Sequence, residues 1–351
     1  MSPNKLKRKI FSHPRFTQLL ILGGVFVLIG VVFRFLLYPV APEIFDFGKN
    51  AIFNSQSFSL QSDNGRTNVL LMGIGGENHD GPDLTDTMIV VSVVTKLSKD
   101  QILPPPIALI SIPRDIYINS IENKINAAYT LGKEKGAPLT LPKQLVSEIT
   151  GLPIHYAAVV DFSVFEKIVD RLGGIDVKAP TAFDDPEYPV SGKENDLCDG
   201  DVELKCRYET LHFDAGWQHM SGARALQFVR SRKGTNDEGT DFARSRRQQL
   251  VIAAIRDKTF SLPNLMNISV GLQIYNDLKA NIDTDFDFSN PNELLRLALN
   301  YRQAKFKNLV LDGNQLESPL EDYRGWILLP IGGNWDQVHK FIATESSQLQ
   351  P

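Results

Sequence analysis

Apolar positions fall along this chain in three kinds of pattern. The first is a long, uninterrupted run, Leu19 to Phe33, broken by Arg34 and resumed over Phe35–Ala41. Leu19–Val40 is long enough to cross a hydrocarbon core of about 30 Å at roughly 1.5 Å of rise per residue. The second pattern is short and rich in β-branched residues: TNVLLM (67–72), MIVVSVV (88–94), IALISI (107–112) and HYAAVVDF (155–162). Three of these are almost continuously apolar, as strands covered on both faces must be. The third is helical. Leu141–Thr150 stops at Gly151, and Ser163–Leu172 opens with the capping box Ser163-x-x-Glu166 and closes at Gly173-Gly174. Ser221–Val229 is capped by Ser221, and FARSRRQQLVIAAI follows a cap at Thr240 or Asp241. Beyond Ser261 come a helix-like stretch (Pro291–Tyr301), a strand (Asn308–Leu311) and a helix (Trp335–Ile342). Strands and helices in alternation predict an α/β domain whose central sheet is flanked by helices.

Lys5, Lys7, Arg8, Lys9 and Arg15 precede the apolar run, which predicts an N-terminus inside the cell and the bulk of the chain outside. A cleaved signal peptide is the competing reading, but its apolar core would be shorter, and no small-x-small site precedes Pro42. The expected organisation is a cytoplasmic N-terminus (1–18), one transmembrane signal-anchor helix (19–40), a linker (41–65), a catalytic domain (66–260), a C-terminal extension packed on it (261–343) and a disordered tail (344–351). The location is then the cell membrane, single-pass, with the main domain extracellular. Cys198 and Cys206 lie in a polar segment, DLCDGDVELKC, and outside the cell a disulfide is the natural reading. So short a loop gains on the order of 2–3 kcal/mol at best. No second Cys or His pair accompanies them, which speaks against a metal site.

Charge changes the picture next. The first 34 residues hold six Lys/Arg and no acid, leaving 31 basic against 41 acidic side chains beyond them, a formal charge of −10. Within that acidic remainder, Arg230, Arg232, Arg244, Arg246 and Arg247 crowd together, which points to a local anion site and not to attraction for polyanions. Arginine offers the planar, bidentate grip that phosphate favours. Arg244, Arg247 and Gln248 stand at i, i+3 and i+4, and their stripe continues into Val251 and Ile255, while Arg246, Gln249 and Arg256 fall on the opposite, solvated face. A helix laced with surface ion pairs is the plainer alternative. Strand ends, where α/β sheets place ligands, add further candidates. Gly73-Ile-Gly-Gly leads to Glu77, His79, Asp80 and Asp83, then to Asp86 beside the second strand. These carboxylates are suited to Mg²⁺, which takes one or two protein oxygens and fills its shell from phosphate and water. The third strand ends in Arg114-Asp115, a functional pair or a structural ion pair, and Lys124 and Asn126 follow.

Together these stretches resemble the LytR–CpsA–Psr family of cell-envelope glycopolymer ligases. TNVLLMGI, LTDTMIVVSV, ALISIPRDIYI, KINAAYTLG, YAAVVDFSVFEKIVDRLGGIDV, GWQHMSGARALQFVRSR and DFARSRRQQLVIAAI occur in family order from about residue 66 to 257. The resemblance implies a single mixed central β-sheet flanked by helices, preceded by one transmembrane helix, with a hydrophobic tunnel for a polyprenyl pyrophosphate. It marks Arg114, Arg230, Arg232 and Arg244 as pyrophosphate ligands with Arg247 and Gln248 beside them. Asp86 becomes the Mg²⁺ carboxylate, and Asp86, Arg114 and Asp115 the catalytic group, with either Asp86 or Asp115 as candidate base. Many relatives carry Leu-Gly-x-Asp after the first strand, where this chain has Gly75. Asp80, Asp83 and Glu77 are candidate replacements, Asp80 being the second metal assignment, or the metal is held more weakly. The implied reaction moves a glycosyl phosphate from a polyprenyl-pyrophosphate-linked glycan to a hydroxyl of peptidoglycan or another envelope glycan. Arginines and Mg²⁺ serve that chemistry, and no GxSxG elbow is present. Hydrolysis of the same lipid, or a non-catalytic, membrane-anchored lipid-binding regulator in keeping with the family's label of transcriptional attenuator, are the alternatives. An acidic ectodomain outside the cell argues against nucleic acid as a partner.

Overall fold

The computed structural model describes residues 60–76, 81–95, 104–193, 195–261, 263–264, 267–288, 298–319 and 324–347. Ser59–Pro351 forms one compact unit. The expected anchor and most of the linker lie outside the described residues, among which no helix is long and apolar enough to cross a membrane.

Each of the four predicted strands forms. β1 (Arg66–Ile74) runs antiparallel to β2 (Thr85–Val94) and parallel to β4 (Tyr156–Asp161), and β3 (Ile107–Ser111) lies antiparallel to β2 on the far side. Side chains alternate across this sheet. On one face Leu70, Met72, Val90, Ile110 and Val159 meet α2 (Thr140–Thr150) through Leu145, Val146 and Ile149, and α7 (Asp336–Ser347) through Val338 and Ile342. A short helix, α1 (Ala128–Glu134), completes that layer. On the other face Ile89 and Leu109 meet Tyr301, Ala304 and Ile252. Cover on both faces is the reason these runs read as almost continuously apolar.

The C-terminal portion is not an extension packed on a finished domain. β9 (Asp283–Thr284) and β10 (Phe306–Val310) form the two edges of the central sheet, whose order is β9-β4-β1-β2-β3-β10. A boundary at residue 260 would therefore cut through the sheet. The predicted tail is corrected too: Thr344–Ser347 continue α7, and the rest lies outside the described residues. Of the helix expected over Pro291–Tyr301, only the last residues, 298–301, are described, and they are helical.

A second core went unread in the sequence, where no element is predicted between Gly174 and Ser221. There β5 (Ile175–Ala179) pairs with β8 (Gly216–Met220), and β6 (Phe183–Pro189) with β7 (Tyr208–Phe213). Phe183 stacks on Phe213 at 5.0 Å, and Phe228 meets Phe213 edge-on at 5.1 Å. Phe228 belongs to α4 (Gly222–Arg230), which starts from Ser221 as predicted. α3 (Phe162–Arg171) starts differently: Asp161, not Ser163, is its cap, its carboxylate accepting from the Val164 N–H and the Ser163 hydroxyl at 2.8 Å each. α5 (Asp241–Thr259) is wedged between the two cores, with Val251 and Ala254 in one and Ile252 against the other. Cys198 and Cys206 are joined, closing the loop between β6 and β7.

Candidate functional site

The ends of β2 and β3, the C-terminus of α4 and the first turns of α5 converge on one cleft. Asp86 is the second residue of β2, where a Cβ at Gly73 of β1 would come within 3.2 Å of the Thr87 side chain. Arg114, just past β3, donates through Nη1 to Asp86 Oδ1 at 2.6 Å, and Arg232 donates through Nη2 to the same oxygen at 2.7 Å. Burial alone would raise the Asp86 carboxyl, but Arg232 and Arg114 outweigh it and hold the group below the ordinary carboxylate range. Asp86 is thus an anion at any physiological pH.

Arg244 sits in the opening turns of α5, which Thr240 caps by accepting from the Ala243 N–H at 3.1 Å. Its side chain pairs with Asp241 at 2.7 Å, yet it is only 6% exposed and its Nη1 has no hydrogen-bond partner. Burial, then the nearby charge of Arg232, bring its pKa down to about 10. A buried guanidinium with a donor left over is costly unless an acceptor arrives. Gln248, one turn on, donates to the Thr87 hydroxyl at 2.7 Å. Arg230 completes the ring, its guanidinium 4.3 Å from the centre of the Phe162 ring. Asp86, Thr87, Arg230, Arg232, Arg244 and Gln248 line a cavity of about 260 Å³, together with Phe162, Tyr188 and Val229.

Not every predicted residue reaches this cleft. Arg247, expected to grip pyrophosphate, is fully buried and spends its donors internally: on the carbonyls of Phe228, Ser231 and Glu238 at 2.6–2.8 Å, and on Glu238 Oε2 at 2.7 Å. It ties down the Ser231–Glu238 loop. Asp115, expected in the catalytic group, lies behind Arg114: it accepts from Lys124 Nζ at 2.6 Å, and Arg114 Nε stands 3.5 Å away. Its place is to position Arg114. Gln249, expected on a solvated face, is buried and donates to the Ser111 hydroxyl at 3.0 Å. Asp83 is bound by Lys133 at 2.8 Å. Asp80, Glu77 and His79 lie outside the described residues.

Two acids were missed. Asp185, 1% exposed, accepts from the Ser231 hydroxyl at 2.6 Å and the Arg232 N–H at 3.0 Å, and so fixes the backbone that presents Arg232. Glu238 holds Arg247. Neither has a local signal, because its partners come from other elements.

The residues fit a Mg²⁺ ion that takes a single protein oxygen. Both arginines use Asp86 Oδ1, so Oδ2 carries neither bond. Among the described residues, the one group with metal-like spacing includes both sulfurs of the disulfide, which are no ligands. Phosphate oxygens and water would have to supply the rest of the shell.

A sequence model of the LytR_cpsA_psr family matches residues 47–325. Over 281 residues the chain is 27% identical to the polyisoprenyl-teichoic acid–peptidoglycan teichoic acid transferase TagV of Bacillus subtilis (strain 168), covering 78% of this chain and 63% of that relative. Over 297 residues it is 30% identical to a transferase of the same description, TagU of Oceanobacillus iheyensis, covering 82% of this chain and 78% of the relative. The crystal structure of Bacillus subtilis TagV superposes with a TM-score of 0.55 at 24% identity, over 83% of this chain and all of that one. The structure of TagT bound to LI-WTA gives 0.54 at 20% identity, over 82% and 93%. The mixed six-stranded sheet is therefore a shared fold.

Proposed function

Since this chain belongs to the LytR–CpsA–Psr family, we propose that it transfers a glycosyl phosphate from a polyprenyl-pyrophosphate carrier to a sugar hydroxyl of peptidoglycan. The observation that carries this reading is the unpartnered Nη1 of Arg244, buried where Arg230, Arg232 and Asp86 meet. A pyrophosphate gives that donor its acceptor and gives the surrounding cations their counter-charge. The acceptor hydroxyl attacks the sugar-proximal phosphorus, a new P–O bond forms, and the bond to the polyprenyl phosphate breaks with its electron pair going to the leaving group. The hydroxyl proton ends on the departing phosphate or in solvent. Asp86 is a poor base, because Arg232 and Arg114 hold its proton affinity down. Its task is to align those two guanidinium groups, which stabilise charge spreading over the phosphoryl oxygens. Mg²⁺ held through Asp86 Oδ2 would add positive charge against the same oxygens.

The same reading places residues 19–40 in the membrane and the catalytic unit outside the cell, and the disulfide between Cys198 and Cys206 suits that compartment. The test uses the full chain in detergent or nanodiscs with Mg²⁺, a polyprenyl-pyrophosphate-linked oligosaccharide and a peptidoglycan fragment, the products being followed by mass spectrometry. A phosphodiester-linked conjugate is expected, with turnover falling about a hundredfold or more in Arg244→Ala. Free sugar phosphate alone would make the protein a hydrolase. Lipid binding without turnover would make it an anchored regulator.

A further inference from the structure

The cleft has a second arm. A neighbouring cavity of about 350 Å³ shares Asp86, Thr87, Arg244 and Gln248 with the first, so whatever fills it lies against the same reacting centre. The two arms differ in chemistry. The first adds Arg230, Arg232 and Lys233 to Arg244. Among the described residues, the second has Arg244 as its only cationic lining residue and instead presents Trp326 and Phe242, 64% and 48% exposed, with the hydroxyls of Thr240 and Ser245 beside them. Single exposed aromatics are ordinary, but two on the rim of one cavity, next to hydroxyls, make an apolar shelf with polar edges. That suits a pyranose, whose C–H face lies on an aromatic ring while its hydroxyls find hydrogen bonds.

Resting on the transferase reading, we infer that this second arm is the acceptor subsite, in which a sugar ring of a peptidoglycan strand lies against Trp326 and Phe242 with a hydroxyl facing the phosphate at Arg244. In-line displacement puts nucleophile and leaving group on opposite sides of phosphorus. The leaving polyprenyl phosphate, anionic and apolar, matches the arm with four cations and with Phe162 and Val229. The incoming hydroxyl belongs to the arm with one cation. Both aromatic walls are fixed to the elements that bear the arginines. Phe242 lies two residues before Arg244 on α5. The segment carrying Trp326 is pinned beside Arg114, since the Leu328 N–H donates to the Asp115 carbonyl and the Tyr117 N–H to the Leu328 carbonyl, both at 2.9 Å.

The experiment compares wild type, Trp326→Ala, Phe242→Ala and Trp326→Phe as full chains in nanodiscs, with thermal unfolding as a check on folding. Three quantities are read: binding of a purified peptidoglycan glycan-strand oligosaccharide without donor, binding of a polyprenyl pyrophosphate without acceptor, and the KM for the acceptor. Both alanine variants should weaken saccharide binding and raise the acceptor KM about tenfold, while Trp326→Phe keeps most of both. Polyprenyl-pyrophosphate affinity should stay within twofold. Unchanged saccharide binding in the alanine variants, or an equal loss for lipid and saccharide, overturns the assignment. A wild-type protein that binds neither ligand defeats the transferase reading itself; one that binds the lipid but no saccharide defeats only the acceptor subsite.

Discussion

Arg244 and Arg247 stand three residues apart on one helix, both are buried, and they do opposite things. Arg247 meets internal acceptors at each of its nitrogens, its ion pair with Glu238 sealed where the two side chains are 0% and 2% exposed. Arg244 has a single partner, Asp241, nearly half exposed, and a donor aimed at nothing. Residue type, helical phase and depth are almost the same. What separates a strut from a ligand grip is whether the fold satisfies the hydrogen-bonding capacity it buries. The Ser231–Glu238 loop makes the difference. Asp185 anchors its start, and its carbonyls and Glu238 close over Arg247 while leaving the next turn toward the N-terminus open to the cleft.

Removing the strut should cost the most. Arg247→Met leaves buried Glu238 with Arg246 as its remaining arginine partner and strips the donors from three carbonyls, and a loss of roughly 3–5 kcal/mol of unfolding free energy is expected. Denaturant titration at constant slope checks it. A loss below about 1 kcal/mol would break the comparison, since Arg247 would then be a spare cation. Arg244→Met should act the other way, adding roughly 1–3 kcal/mol because it removes a poorly compensated buried charge. A cation whose folded pKa is lowered destabilises the fold below that pKa and ceases to do so as pH rises through it. The gain over wild type should therefore be full at neutral pH and shrink above about pH 10. A destabilised Arg244→Met would mean that Arg244 is structural after all.

Much of this contrast could not be read from the chain. On a helix, positions 244, 247 and 248 point within one arc, so phase alone cannot tell which arginine faces a cavity and which faces a loop. The candidacy of Arg244, Gln248, Asp86, Arg114, Arg230 and Arg232 was legible, because caps, strand ends and charge spacing are local signals, and it took the family resemblance to join them in one site. The burial of Gln249 was not: α5 touches a core on each side, and a helix wrapped in this way has no solvated face of the expected width. The ribbon over 175–220 was hidden by composition. β6 carries Asp184, Asp185, Pro186 and Glu187, a turn-like sequence that forms a strand because Phe183 and Tyr188 anchor it in the second core. Asp161 displaced the predicted cap at Ser163 because β4 runs directly into α3.

The smallest expected effect lies at the carboxylate the cleft arginines share. Asp86 is 34% exposed against 2% for Glu238, so water and salt screen its ion pairs, and Asp86→Asn should cost about 1 kcal/mol or less. The pH dependence is more telling than the size. A carboxyl whose folded pKa is depressed contributes stability above its unfolded value and loses it as pH falls through the folded one. Arg232 and Arg114 overcome burial to depress Asp86, so the gap between wild type and Asp86→Asn should stay flat from neutrality to the unfolded-state carboxyl pKa, then close at lower pH. Inorganic pyrophosphate should narrow the gap at neutral pH, because it supplies the arginines with the charge that asparagine lacks. A gap that closes well above the carboxylate range, or that pyrophosphate leaves untouched, would show that Arg114 and Arg232 are paired for the fold, as Arg247 is, and not held ready for a ligand.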